Sequence, residues 1–410
     1  MFIRLAYKSL LDRKGSILMT LLAISVSVFV LLGIEHIRQQ AKESFSNTLS
    51  GTDLIVGART SNLNLLLYSV FRVGNPTNNI GWETYNSIAT NTNIVWTIPI
   101  SLGDSHKGYR VVGTNTDYFK HYKYGSKRTL EFNEGAPFDH LFDVVLGAEV
   151  ANKLGYSLDQ KVTLSHGLGT TSFSNHDDKP FRIVGILEAT GTPVDRALYV
   201  SLEAITAIHI GWQQGVKIPG AAANTNTLDT GELAPESITA FMVGLKSKMT
   251  TFSVQRAINN YPEEPLMAIL PGVTLAEFWQ TLSTTEDTLR LISLLVLIAA
   301  LLGLSSLLLA SIRERQTEIA VIRMLGASPW FIFSLIQLEA FLITFFASLL
   351  GAVMLYIALA VSAEQIATEF GLYIETNFLS EQNLLALLLV QTCSVIVCLI
   401  PSITAYRKAL

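Results

Sequence analysis

The sequence predicts an integral membrane α-helical protein: four transmembrane helices, with a mixed α/β extracytoplasmic domain inserted between helices 1 and 2. Three observations carry this. Half of the 410 residues are hydrophobic and only 15% are charged, against about 25% charged in an ordinary soluble domain. Four apolar runs are each long enough to cross a bilayer, which takes roughly 20 residues at about 1.5 Å rise each. Between the first and second runs, residues 36–290 alternate β-branched and aromatic segments with helical patterns, as an α/β domain does.

In chain order, residues 1–15 set Phe2, Ile3, Leu5, Leu10 and Leu11 against Arg4, Lys8, Asp12, Arg13 and Lys14. This reads as an amphipathic helix lying along the inner leaflet. Transmembrane helix 1 spans 16–35. Basic residues precede it, as in a signal peptide, but its apolar run is long and no A-x-A-like site follows, so we read a retained anchor. Transmembrane helix 2 spans 291–312, helix 3 spans 330–363 and helix 4 spans 383–405. The segment 313–329 joins helices 2 and 3, the loop 364–382 joins helices 3 and 4, and 406–410 form a tail.

Lys and Arg set the orientation of the short loops. They concentrate in the N-terminal segment, at Arg313, Arg315 and Arg323, and at Arg407 and Lys408, whereas 364–382 carries Glu364, Glu369, Glu375 and Glu381 with no Lys or Arg. Both termini and 313–329 are therefore expected in the cytoplasm, and the large domain outside. This describes a multi-pass protein with its large domain on the side of the membrane away from the cytoplasm. A formal net charge of −4 argues against a nucleic-acid partner. The two cysteines, Cys393 and Cys398, both fall in helix 4, so the external domain holds together by its core alone.

In that domain, strands are expected at Ile94–Leu102, Tyr109–Gly113, Lys161–Ser165, Phe181–Leu187, Ala197–Ser201 and Thr239–Leu245, and helices at Gly147–Leu154 and Thr251–Asn260. The polar, Gly- and Asn-rich stretch Ile210–Ser237 reads as a loop. Neither Glu35–Leu49 nor Leu275–Arg290 contains Gly or Pro. Both flanking spans can thus continue as helical stalks, or end in short linker helices; periodicity does not separate the two. Asn62–Pro76 is unusually apolar, and reads as a core helix or a greasy lip for a lipid-bearing substrate.

The segment RERQTEIAVIRMLGASPW, 313–330, is the unusual one. Its charges must leave the bilayer, since each costs about 2.5–3.5 kcal/mol at the membrane centre. Yet it is rich in helix formers, and Ile319, Ala320, Val321, Ile322, Met324 and Leu325 cover more than one side of a helix. Gly326 suits a helix stop, Ser328 an N-cap and Pro329 a first turn. A short cytoplasmic helix that plugs into a soluble partner fits this pattern; so does a re-entrant turn packed on the bilayer surface.

EIAVIRMLGASPWFI, followed by LEAFLITFFASLLGAVM, resembles the permease domain of the FtsX/MacB-like family of ABC transporters. Outside the membrane, VVLGAEVANKLGYSLDQKVTL and FRIVGILEATGTPVDRALYVSL resemble the same family's periplasmic domain. The resemblance covers nearly the whole chain and implies a permease, paired with a second permease subunit of the same or a homologous kind, docked on a cytoplasmic ABC ATPase dimer. By residue match, Glu318, Ile319, Arg323 and Gly326 would make the ATPase contact, supported by Ile322 and Leu325. Unlike the MacB proteins, this sequence has no G-x-x-x-x-G-K-[ST]. The chain is therefore expected to bind no cofactor and to be no enzyme, with ATP and Mg held on the partner ATPase. The substrate would be a periplasmic or outer-leaflet lipoprotein, peptide or small hydrophobe, with a periplasmic adaptor protein as a possible further partner. The alternative is a transducer that switches a periplasmic enzyme such as a cell-wall hydrolase. A membrane-anchored hydrolase is disfavoured: there is no G-x-S-x-G, no H-E-x-x-H and no external Cys.

Three further candidates stand out. All seven histidines lie outside the spans, and HGLGTTSFSNHDD brings His166, His176 and Asp177 together in sequence. Imidazole with carboxylate suits a zinc-like ion, but the spacing matches no compact metal motif, and a solvated hairpin loop is the simpler reading. Glu339 falls inside transmembrane helix 3, where an acid is a functional candidate; we read it as structural coupling rather than proton relay. Gly303, Ser306 and Ala310, and Ala347 with Gly351, mark expected helix-packing faces.

Overall fold

The computed structural model describes residues 14–167, 179–210, 212–213, 216–217, 233–314, 316–370 and 380–408. Nearly all of the N-terminal segment 1–15, most of Ile210–Ser237, His176, Asp177 and much of the loop 364–382 lie outside these. The chain divides into two compact units, residues 1–41 with 282–410 and residues 42–281.

In chain order, α1 (Lys14–Thr48) leads to β1 (Leu54–Ala58), α2 (Asn62–Leu66), α3 (Trp82–Ala89), β2 (Ile94–His106), β3 (Tyr109–Thr114) and α4 (Asp117–His121). Strands β4 (Phe132–Gly135) and β5 (Asp143–Leu146), helix α5 (Ala148–Leu154) and strands β6 (Lys161–Val162), β7 (Ser165–His166), β8 (Phe181–Leu187) and β9 (Ala197–Ser201) follow. Then come α6 (Leu202–His209), β10 (Ala240–Leu245), α7 (Thr251–Asn259), β11 (Leu266–Ile269) and α8 (Pro271–Glu314). The chain continues through α9 (Gln316–Met324), α10 (Pro329–Phe370), α11 (Glu381–Val397) and α12 (Leu399–Lys408). Among the described residues, four helical segments are long and apolar enough to cross a membrane: α1, α8, α10 and the pair α11–α12.

The external unit is built on one 11-stranded mixed sheet in the order β11-β1-β10-β2-β3-β9-β5-β8-β4, with β7 added on β2 and β6 on β8. Parallel pairings join β9 to β3 and β8 to β5, and the other pairings are antiparallel. Side chains alternate across a strand, and here both faces are covered. In β9, Ala197 and Tyr199 enter one core with Ile98, Val112 and Met242, while Leu198 and Val200 enter another with Val111, Val144 and Phe181. Tyr118 stands 4.9 Å, ring to ring, from both Tyr122 and Tyr199 in the first of these cores. Without disulfides, this double burial is what holds the domain.

Several expectations are refined. Lys161–Ser165 is not one strand. Its ends pair with different partners, Val162 with Phe181 and Ser165 with Ser105, so the chain changes neighbour at Thr163–Leu164. Strands β1, β4, β5 and β11 were not expected. Asn62–Pro76 begins as α2 and widens into a π-helical turn, Leu67–Phe71, and the two together bury Leu65, Leu66, Tyr68, Val70 and Phe71. It is a core element, not a lip.

Within the membrane unit, α8 buries the stripe Leu297, Leu301, Leu304, Leu308 and Ile312 against Ile24, Val28 and Leu32 of α1 and against α10. Gly303, Ser306 and Ala310, the expected packing face, are instead exposed on α8. The reason is register: the leucines occupy the 3–4-residue stripe that the neighbours can reach. The other expected pair does pack, since a Cβ on Gly351 of α10 would lie 2.7 Å from the Ser25 carbonyl oxygen and 3.1 Å from Val28. Helix α10 is tied to α11 by Thr344 Oγ1, which donates to Gln391 Oε1 at 3.0 Å and accepts from Ser394 Oγ at 3.2 Å. Arg290 of α8 grips Glu35 of α1 through both Nε and Nη2, at 3.1 and 2.7 Å from Oε2. Transmembrane helix 4 is not continuous. It breaks at Cys398 because Pro401 has no N–H to offer the Val397 carbonyl, and Ser305 Oγ of α8 approaches that oxygen at 3.5 Å.

Candidate functional site

Two sites merit construction from their residues, one in each unit. In the membrane unit, α8 is described as far as Glu314 and α9 over Gln316–Met324. Leu325 N–H still donates to the Val321 carbonyl at 3.1 Å, and Gly326 N–H turns back to Arg323 at 2.8 Å. Gly326 sits at φ +94°, where a side chain is strained, so glycine is what permits this stop. Pro329 then opens α10, and the Phe331 N–H donates to Ser328 Oγ at 3.3 Å, the expected N-cap.

The exposures of α9 are uneven. Ile319 packs partly against the helix core, and Arg323 is half-buried. Val321, Met324 and Leu325 are 49, 79 and 84% exposed. The side chains of Glu318 and Ile322 lie outside the described residues. A cleft of about 630 Å³ runs along α9, lined by Ile312, Gln316, Ile319, Arg323, Met324 and Ala405. Three large apolar groups facing outward around a half-buried arginine, in α9 and the turn after it, form a surface suited to a protein partner. Glu339, by contrast, is only 4% exposed inside its own unit. It is buried within the packing of α10.

In the external unit the structure gathers residues the sequence keeps apart. His166, on β7, pairs in register with Asp104 on β2. The β2–β3 ladder shifts register between Leu102 and Ser105, and such a bulge re-aims a side chain. Asp104 lies within that bulge and is 2% exposed. His209, at the end of α6, completes the cluster. Asp104 Oδ1 lies 3.2 Å from His166 Nδ1 and 3.6 Å from His209 Nε2, and the two ring nitrogens are 3.3 Å apart. The other ring nitrogen of His209, Nδ1, is 2.7 Å from the Ile205 carbonyl, which can only accept, so it is the donor.

Burial pushes the Asp104 carboxyl up, but hydrogen bonds from His166 and His209 outweigh it and hold the group down at about 2. Burial likewise pushes His209 down, and the Asp104 carboxylate with the Ile205 carbonyl raise it overall. A shielded carboxylate that stays ionised requires positive charge beside it. The cluster borders a cleft of about 520 Å³, lined also by Asn79, Ser101, Thr206 and Glu236. Of the three candidate ligands expected from sequence, only His166 takes part among the described residues. Asp104 and His209 were missed because 62 and 43 residues separate them from His166; only strand pairing brings them in. Two other external histidines are structural. His106 Nδ1 donates to the Thr163 carbonyl at 2.7 Å, and His121 stacks on Trp96 at 5.2 Å.

Comparison with known proteins resolves what kind of chain carries these sites. Residues 17–261 match the profile of the MacB-like periplasmic core domain, and residues 290–410 that of the FtsX-like permease C-terminal domain. The chain belongs to the FtsX/MacB-like family of ABC permeases. This permease is thus a multi-pass membrane protein whose α/β unit is a periplasmic-type domain. Solved structures similar to it include the periplasmic region of MacB from Actinobacillus actinomycetemcomitans, at 10% identity and TM-score 0.35, covering 58% of the permease and 94% of that chain. Another is the extracellular domain of the noncanonic ABC-type transporter YknZ from Gram-positive bacteria, at 12% identity and TM-score 0.31, covering 53% and 98%. No curated protein matches.

Proposed function

We propose that this permease couples ATP hydrolysis by a separate cytoplasmic ABC ATPase dimer to motion of its periplasmic domain, and that α9 is the coupling helix. The carrying observation is the outward apolar face Val321, Met324 and Leu325, on the helical segment that stops at the Gly326 turn. Such groups cost free energy in water, roughly 25 cal/mol per Å², and a protein partner that covers them recovers it. Arg323 supplies the charged element that orients the contact.

Both helices leading outward support mechanical transfer. Helices α1 and α8 run for 35 and 44 residues without a break. At about 1.5 Å per residue these are about 50 and about 65 Å long, well beyond the roughly 30 Å hydrocarbon layer. The Glu35–Arg290 pair clamps them to each other, so a tilt of one is carried by the other. An apolar cleft of about 470 Å³, lined by Leu31, Ile34, Leu294, Leu385 and Leu389 with Glu35 and Arg290 at its edge, supports a substrate with a hydrophobic part, such as a lipoprotein, a peptide or a small hydrophobe, taken at the outer face of an inner membrane. Both termini are then cytoplasmic.

The test is copurification. Glu318→Ala with Arg323→Ala, and separately Met324→Asp with Leu325→Asp, should each abolish recovery of an ATP-hydrolysing subunit with the permease while leaving membrane insertion intact. Contacts of this kind are worth on the order of 2–4 kcal/mol when truncated. Undiminished recovery of the ATPase with both double variants would remove the coupling role.

A further inference from the structure

We propose that Asp104, His166 and His209 form a binding site for a first-row divalent metal ion of the zinc class, with its open side toward the neighbouring cleft. A tetrahedral ion bound to nitrogen or oxygen at about 2.0–2.1 Å holds its ligands about 3.3–3.4 Å from one another. The three converging atoms, Asp104 Oδ1, His166 Nδ1 and His209 Nε2, are 3.2, 3.3 and 3.6 Å apart. A single ion fits this triangle without moving any element.

Metal-bound histidines characteristically donate their other ring N–H to a carbonyl or carboxylate, which fixes the tautomer and turns the ligating lone pair toward the ion. His209 does this through Nδ1 to the Ile205 carbonyl, from one turn earlier in α6. Nε2 is therefore the His209 nitrogen turned toward Asp104 and His166, the position a ligating nitrogen takes.

The three residues come from a strand bulge, an added strand and a helix end, and the added strand is held at this point by the Gly167 N–H donating to the Gly103 carbonyl at 3.0 Å. Asp104 is buried, whereas His166 and His209 reach the cleft wall beside Ser101 and Thr206. Two imidazoles and one carboxylate suit zinc, or iron(II) and its neighbours, rather than calcium or magnesium, which prefer oxygen ligands. Three protein ligands leave room for water or a donor group of a bound molecule. The site is independent of the ATPase contact and stands or falls separately from it.

The experiment uses the full-length permease purified in detergent, stripped with chelator and dialysed. Zn²⁺ is titrated calorimetrically, and Co²⁺ is used as a coloured substitute whose visible absorption reports a low-symmetry nitrogen-and-oxygen site. One ion per chain is expected. His209→Ala and Asp104→Asn should each weaken Zn²⁺ binding by at least about tenfold and abolish the Co²⁺ spectrum, while His140→Ala should leave both unchanged. Thermal unfolding of each variant identifies any that fails to fold, and His209→Gln provides a milder replacement at that position. No bound ion in the wild-type chain, or binding unaltered in folded His209→Gln and Asp104→Asn, overturns the proposal; so does binding lost with His176→Ala alone, which would assign the ion to the loop.

Discussion

Asp143 shows how single side chains govern this domain's response to acid. It closes the turn before β5, accepting from the backbone N–H groups of His140 and Asp139 at 2.9 and 3.3 Å and from Arg182 Nη2 of β8 at 3.2 Å. Burial raises its carboxyl, but these donors outweigh it and leave it below the usual carboxylate range. The unfolded chain therefore takes up the proton first. The stability that Asp143 adds is present above about pH 4, the ordinary aspartate value, and is lost as pH falls through the lower folded value. Asp143→Asn should cost about 1–3 kcal/mol at neutral pH and flatten the acid limb, measured by urea unfolding between pH 3 and pH 7. At this scale the sequence is least legible. His166 announces itself by its neighbours, but a bulge at Gly103 and a helix end at His209 carry no local signature, and three residues meet only after the sheet has paired.

Helices are the legible elements, because a membrane imposes length and apolarity on them together. The stop at Gly326, the cap at Ser328 and the start at Pro329 all follow from backbone chemistry, and the structure places them as expected. Strands β1, β5 and β11 go unread for a physical reason: they are only four or five residues long and covered on both faces, so they lack the polar alternation that marks a half-buried strand. Composition also does not say which small residues are contacts. Gly351 meets the Ser25 carbonyl oxygen, while nothing lies within 4 Å of a Cβ placed on Gly303. Gly351→Ala should therefore destabilise the helix bundle by about 1–3 kcal/mol through overpacking, and Gly303→Ala should be neutral or stabilise it by about 0.5–1 kcal/mol through helix propensity. Thermal unfolding of the two variants in the same detergent checks this ordering, and equal shifts would contradict it.

Taken as a whole molecule, the chain joins an FtsX-like membrane segment to a MacB-like periplasmic core domain, and α1 and α8 are helices of 35 and 44 residues. Our account makes this a device that receives force on the cytoplasmic side at α9 and delivers it outside. That requires the exposed face of α9 to be cytoplasmic. The direct measurement is thiol labelling in cells, in a chain whose native Cys393 and Cys398 are replaced by alanine. Leu325→Cys, 84% exposed in α9, is compared with Phe252→Cys, 72% exposed in the external domain. With the outer barrier opened and the inner membrane intact, a membrane-impermeant maleimide should modify Phe252→Cys and reach Leu325→Cys only after the inner membrane is disrupted. Modification of Leu325→Cys from the outside, at the same rate as Phe252→Cys, would contradict the account.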